Sequence, residues 1–405
     1  MTASEATVPS HLLKAPPLSL YVHIPWCVRK CPYCDFNSHV APEHLPQRDY
    51  IAALLEDLDH DLRLFDGAWR DDRPLVSIFF GGGTPSLFSP DEIGRFLSGA
   101  RARIPFAGDV EVTLEANPGT IEHGRFSGYR AAGVTRVSIG AQTFSEPHLK
   151  VLGRIHGSGD IQRAVDELGR AGIDNFNLDL MYALPQQTRA QALDDVRAAI
   201  ALAPRHISHY QLTLEPGTVF YHRPPAVPDT DAAWEMQVDC QELLAARGYE
   251  QYEVSAYARP GARCAHNMNY WRFGDYFGIG AGAHGKLTHA AANAITRTVR
   301  CRQPRDYLSR AVGARVIEQR SVAAHDLPFE YMLNALRLLE GFSVVDFEAR
   351  TGRSREVLDA VLREVERKGL LARADEQTSA QHWRPTELGA RFLNELQAAF
   401  LSDAA

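Results

Sequence analysis

The 405-residue sequence has no run of 18 consecutive apolar residues, which excludes a membrane-spanning helix of ordinary length. Its N-terminus lacks a basic segment followed by an apolar core, so no secretory leader is expected and the location is read as cytoplasmic. Residues 1–18, rich in Ser, Thr and Pro, are expected to form a flexible tail. Positive charge is not in excess either. Lys and Arg total 43 against 50 Asp and Glu, a net charge of −7, so nucleic acid is not expected as a general partner. Cysteine is scarce, six in all, far too few for a disulfide scaffold. The hydrophobic share of 45% and charged share of 23% belong to a folded chain long enough for two domains.

Within that frame, residues 19–214 alternate between two patterns. Short β-branched and aromatic runs at 20–24, 75–80, 110–115, 136–139, 176–181 and 207–214 predict strands. Helical spacing predicts helices over 47–65, 90–102, 121–132, 160–171 and 188–202. Ser89-Pro90-Asp91-Glu92 is a helix start and Gly172 a helix stop. Repeated βαβ units imply a parallel sheet with apolar residues on both faces, either open and doubly wound or closed as a full or partial barrel. In each case function belongs at the C-terminal strand ends. The unusual residues fall there: three cysteines after the first strand, Gly81-Gly82-Gly83-Thr84-Pro85 after the second, then Glu115, Gln142 and Asp179. One shared site is the economical reading.

Beyond this region a helix is predicted over 229–248 and a strand over 252–256, while residues 258–300 are Gly-, Asn- and His-rich and aperiodic. The remainder reads helix, short helix, helix, strand pair and helix, a winged-helix-like outline. Residues 321–405 hold ten Lys/Arg against fourteen Asp/Glu, which favours packing or protein docking over DNA binding.

The chemistry starts at Cys27, Cys31 and Cys34, which fall within eight residues. Soft thiolates suit iron–sulfur clusters or zinc. Structural zinc wants four ligands, commonly as two close pairs, and no second CxxC exists. A three-cysteine catalytic zinc, or three packing thiols, stand as alternatives. Three thiolates on a 4Fe–4S cube leave one iron open to a chelating amine and carboxylate. CxxxCxxC after the first strand of a βα repeat, with Tyr33 before the last Cys, resembles the radical-SAM superfamily. The resemblance implies an α/β fold: a partial (β/α)6 TIM-like barrel within a core at 19–300, and a winged-helix-like α-rich module at 301–405. It implies a 4Fe–4S cluster on Cys27, Cys31 and Cys34, with S-adenosylmethionine on the fourth iron as a source of a 5′-deoxyadenosyl radical. By position it implies that Gly82, Gly83 and Thr84 hold the amino group and Glu115 shares it. Arg154 would pair with the carboxylate, Gln142 and Asp179 with the ribose, and Tyr21 and Tyr33 would flank the cofactor.

Longer matches narrow the resemblance. They are Tyr21-Val22-His23-Ile24-Pro25-Trp26-Cys27, Phe80-Gly81-Gly82-Gly83-Thr84-Pro85-Ser86, Glu115-Ala116-Asn117-Pro118-Gly119, residues 138–144 and Leu152-Gly153-Arg154-Ile155-His156. They are similar to the group that joins oxygen-independent coproporphyrinogen III dehydrogenase to haem-chaperone relatives. The dehydrogenase carries a further Cys two places after the third, where this chain has Phe36, and a longer N-terminal extension than the 20 residues before Tyr21. His266-Asn267-Met268-Asn269-Tyr270-Trp271 matches the chaperones' HNxxYW motif. All three features favour the chaperone side. That implies bound haem with His266 as candidate ligand on a flexible loop, Cys264 as an alternative or additional ligand, and haem-accepting partner proteins. Contact with membrane-bound acceptors would be peripheral. No catalytic side chain is assigned. Of the other histidines, His206, His209 and His284 are expected to face the barrel mouth or to be hydrogen-bonded core residues. Gly280–Gly285 satisfies GxGxxG, but no acid follows before Asp306, so close backbone packing is expected there, not a nucleotide.

Overall fold

The computed structural model describes residues 13–64, 73–120, 125–374 and 381–401. Most of the expected tail, residues 1–12, lies outside the described residues, as do residues 65 and 121–124 of two expected helices. The described end of that tail is not loose: Leu13 is buried, the Lys14 N–H donates to the Ala349 carbonyl, and Leu18 already opens a strand.

Six strands, Leu18–Ile24, Leu75–Gly82, Phe106–Ala116, Arg136–Gln142, Phe176–Tyr182 and His206–Gln211, lie side by side in chain order and parallel. A doubly wound sheet reverses direction partway across; this one does not, so the strands wind one way as in a barrel. The sheet stays open. Asp275–Ile279 pairs in parallel with the first strand, and His284–His289, Ala294–Arg300 and Val316–Ser321 extend that edge antiparallel. Ala256–Ala258 and Glu250–Glu253 finish the other edge. Four of these strands lie between residues 252 and 300, where the sequence predicts one strand and then an aperiodic stretch, and Val316–Ser321 lies beyond it, within the expected C-terminal module. Glycine explains how that stretch pairs: a Cβ on Gly278 would lie 1.8 Å from the His284 carbonyl oxygen. The expected GxGxxG segment is followed by a strand, not a helix, and Gly282 is held against Asn37, as close backbone packing requires.

The helices form where their ends are satisfied. Ser89 accepts the Glu92 N–H at the head of Pro90–Arg101, and Ser158–Ala171 stops at Gly172 in the left-handed region. Leu18, Leu20, Val22 and Ile24 of the first strand pack against this helical layer with no exposed surface. The opposite face departs from the sequence expectation of two apolar faces. Ser19, Ser77, Thr113, Asn177 and His206 are all buried and form, with the half-buried Glu111, Glu115 and Asp179, a polar bore closed in by hydrogen bonds.

A second core gathers Leu327–Ala335, Val344–Thr351, Glu356–Arg367 and Leu393–Ala398 over a three-stranded sheet of Phe342–Ser343, His382–Pro385 and Leu371–Arg373. This is the winged-helix-like module. Phe273 and Ile295 of the barrel side enter the same core. Because the large sheet runs on through Ser321, the seam falls near residue 322, about twenty residues beyond 301.

Candidate cofactor site

A cleft of about 450 Å³ opens at the C-terminal ends of the strands. Cys27, Cys31, Cys34, Tyr33, Gly82, Gly83, Thr84, Glu115, Gln142, Arg154 and Asp179 all line it. Thus eleven of the fourteen candidate site residues singled out from sequence line one cleft; Tyr21, Cys264 and His266 do not.

The cysteine loop is built by backbone contacts. Trp26 and Cys27 bridge to His39 and Val40, the Cys34 N–H donates to the Cys31 carbonyl, and Lys30 Nζ donates to the carbonyls of Phe36 and Ser38. All three thiols are partly exposed to the cleft, and burial pushes those of Cys27 and Cys34 up. Among the described residues, only Glu111, Cys264 and His266 bring three His, Cys, Asp or Glu donors within 4.8 Å of one another, so the three loop sulfurs do not all lie within that distance.

Among the described residues, Glu115, Asp179 and Arg154 beside the thiols make no ion pair. Glu115 Oε2 accepts the Gly82 N–H at 3.2 Å, yet burial and then the Asp179 charge push its carboxyl from 4.5 up to about 8. Asp179 is also raised, chiefly by burial, although Ser138 and Asn177 donate to it. Arg154 donates through Nη2 to the Gly140 carbonyl at 2.8 Å and through Nη1 to Cys31 Sγ at 3.6 Å, but its buried Nε has no partner. Two carboxyl groups that make no ion pair and a guanidinium nitrogen without an acceptor, among the described residues, fit a zwitterion. Gln142 holds a backbone φ of 69°, unusual for a residue with a Cβ, and its Oε1 accepts the Tyr210 hydroxyl at 2.8 Å.

Glu115 gives a pH prediction. Its value is near 4.5 in the unfolded chain and about 8 in the fold, so its contribution favours folding below about 4.5 and is lost as pH rises through 8. Denaturant midpoints of cluster-free protein from pH 5 to 9 should fall with pH, and Glu115→Gln should flatten that slope. An identical slope in the variant would refute the assignment.

Tyr21 sits one layer below the cleft. Its hydroxyl donates to His23 Nδ1 at 2.7 Å, and His23 Nε2 donates to the Asn37 carbonyl at 2.9 Å, so Tyr21 steadies the cysteine loop through His23. His266 departs further from expectation. It lies not on a flexible loop but in the helix Ala265–Trp271, 5% exposed, at the floor of the bore. Its ring stacks on Phe79 with centroids 4.1 Å apart, and its Nδ1 donates to Glu111 Oε1 at 3.0 Å. Glu111 also accepts the backbone N–H groups of Ala265 and His266. Cys264 Sγ is 3.1 and 3.3 Å from the two ring nitrogens, and that near-equality puts the sulfur over the ring face, outside the plane in which imidazole binds a metal. Burial works to raise the Glu111 carboxyl, but the His266 hydrogen bond and charge hold it down to about 2. Glu111 thus latches His266 and the start of its helix through three hydrogen bonds.

Of the other histidines, His206 is a hydrogen-bonded interior residue and His209 stacks on Tyr182, while His284 is exposed. Sequence reasoning missed Ser138, Ser208 and Tyr210 in the cleft wall. The signal was present in part: Ser138 lies four residues before Gln142 on its own strand, while Ser208 pairs with Asp179 and Tyr210 follows two residues later on the same face.

Comparison with known proteins agrees with this geometry. The Radical SAM superfamily matches residues 21–199, and the HemN C-terminal domain matches residues 322–392. Among solved structures, Escherichia coli coproporphyrinogen III oxidase (HemN) superposes with a TM-score of 0.79 at 20% identity, covering 98% of this chain and 92% of that one. The fold and site therefore define a radical-SAM protein. Heme chaperone HemW of Escherichia coli is 50% identical over 97% of this chain and its own full length, and that of Haemophilus influenzae is 48% identical over 96% and 99%. The chain belongs to the HemW family.

Proposed function

We propose that this chain is a cytoplasmic haem chaperone that holds a 4Fe–4S cluster on Cys27, Cys31 and Cys34, binds S-adenosylmethionine in the adjoining cleft, and carries haem to acceptor proteins. The observation that carries the cofactor reading is the cleft itself, where three partly exposed thiols adjoin the raised Glu115 carboxyl and an Arg154 Nε without a partner among the described residues. Glu115 and Asp179 are suited to an ammonium and to ribose hydroxyls, and Arg154 Nε to a carboxylate. When bound, the cluster supplies an iron with an open position and a source of single electrons. The chaperone reading rests on the likeness to relatives named for that role and on Phe36, 57% exposed, where the dehydrogenase would carry a fourth Cys.

Anaerobic reconstitution tests both halves. The protein should retain about four irons and four sulfides per chain, change its reduced-cluster EPR signal on adding S-adenosylmethionine, and take up haem near one equivalent. It should also pass that haem to an apo-acceptor and yield no protoporphyrinogen from coproporphyrinogen. Zinc in place of iron and sulfide would end the cofactor reading, and absence of haem uptake the chaperone reading.

For His266 to reach haem iron, the helix Ala265–Trp271 must leave its seat, because the imidazole is buried and latched to Glu111. Haem uptake through His266 should therefore be limited by that opening, and Glu111→Gln should speed it several-fold in stopped-flow absorbance. Equal rates in the two proteins would remove His266 from the ligand candidates.

A further inference from the structure

The floor of the bore and the cleft are joined by an unbroken line of hydrogen bonds. The Cys264 N–H donates to the Tyr252 hydroxyl oxygen at 3.4 Å. That hydroxyl lies 2.8 Å from His206 Nε2. His206 Nδ1 lies 2.7 Å from Asn177 Oδ1, and Asn177 Nδ2 donates to Asp179 Oδ1 at 2.8 Å. The protons along this line are fixed by exclusion. An amide oxygen only accepts, so His206 carries its proton on Nδ1 and Nε2 must accept from Tyr252. Burial, which lowers the His206 pKa well below its ordinary value, keeps the ring neutral and so preserves this tautomer. Every donor then points the same way, from the start of the Ala265–Trp271 helix toward Asp179.

A chain of this kind has few alternative states. Tyr252, His206 and Asn177 are each no more than 3% exposed, so water cannot replace a lost partner, and a reversed link would leave a buried donor or acceptor unsatisfied. At one end stands the carboxylate that faces the cleft. At the other, Cys264 precedes the helix that Glu111 latches. A ligand that fixes Asp179 therefore fixes Asn177 and, through it, the line down to the helix.

We propose that Asn177, His206 and Tyr252 are positioning residues that couple the cleft to the seat of the Ala265–Trp271 helix, so that a ligand on Asp179 and the seated helix stabilise each other. This rests on the reading that S-adenosylmethionine occupies the cleft. The coupling is reciprocal: whatever factor the ligand gains from a seated helix, the seated helix gains from the ligand.

The test is hydrogen exchange of the cluster-loaded protein, with S-adenosylmethionine binding measured by calorimetry on the same samples. Saturating S-adenosylmethionine should slow exchange of amides 265–271 about fivefold or more in the wild type. Tyr252→Phe, which removes one oxygen from the line, should still bind S-adenosylmethionine but lose that slowing. Tyr257→Phe, a neighbouring buried tyrosine outside the line, should keep it, which controls for general loosening. His206→Gln should behave as Tyr252→Phe if the tyrosine variant folds poorly. Slowing that persists in Tyr252→Phe or His206→Gln, or that is missing in a wild type that binds S-adenosylmethionine, overturns the coupling alone. A wild type that binds no S-adenosylmethionine overturns the cofactor reading, and the coupling falls with it.

Discussion

Cys31→Ala should reduce retained iron and inorganic sulfide from about four of each per chain to near zero, with secondary structure unchanged by circular dichroism. The loss is expected to be local because the thiol does not hold the loop in place. That work is done by the Trp26–His39 and Cys27–Val40 bridges, by the Lys30 ammonium on two carbonyls, and by the Phe220 N–H on the Pro32 carbonyl. Cys31 instead faces the cleft beside Arg154. With one thiolate gone, two irons of a cube would lack protein ligands and the cluster would be open to solvent from that side. Cys301→Ala serves as the contrast. That thiol is buried in the main core far along the chain and does not line the cleft, so its loss should leave iron content intact. Equal iron in both variants, measured after anaerobic desalting, would show that the loop is not the cluster site.

The cleft was legible in the sequence because parallel βα repeats put the same end of every strand on one side. Residues far apart in the chain, from Cys27 to Asp179, could be assigned to one place without knowing any distance. The floor of the bore was not legible, for a reason of scale. The Ala265–Trp271 helix has 7 residues, too few to show a helical period, and its first N–H groups are satisfied by Glu111 rather than by a neighbouring cap. That acid lies 154 residues away from Ala265 in the chain. The polar lining of the bore was visible but misread. Ser19, Tyr21 and His23 alternate with Leu20, Val22 and Ile24, a two-residue period in which one face is apolar and the other is not. A sheet packed by helices on both faces could not tolerate that pattern, whereas a barrel with a hydrogen-bonded interior requires it. The open edge beyond residue 252 depended on glycines whose close approaches only a three-dimensional partner can reveal.

The glycine turn gives the second large effect. A Cβ on Gly83 would lie 2.5 Å from the Trp26 carbonyl oxygen and 2.8 Å from Trp26 C and N. These are backbone atoms, so no side chain can swing aside. The turn is also pinned to the first strand, for the Gly83 N–H donates to the Ile24 carbonyl and the Thr84 N–H to the Trp26 carbonyl, both at 2.7 Å. Alanine must therefore break those bonds or push Trp26 outward, and Trp26 leads directly into Cys27. Crowding of this kind costs about 1–3 kcal/mol, and the displacement falls on the wall where the proposed amino group would lie. Gly83→Ala is expected to lower the thermal midpoint by several degrees and to weaken S-adenosylmethionine binding at least tenfold. Gly169→Ala makes the opposite case on the outer surface of a helix, where a Cβ would meet nothing within 4 Å. It should be neutral or slightly stabilising, since alanine is favoured over glycine in a helix by about 0.5–1 kcal/mol. Wild-type midpoint and wild-type binding in Gly83→Ala would mean that the turn yields without moving Cys27, and that the cysteine loop and the glycine turn are not one rigid wall.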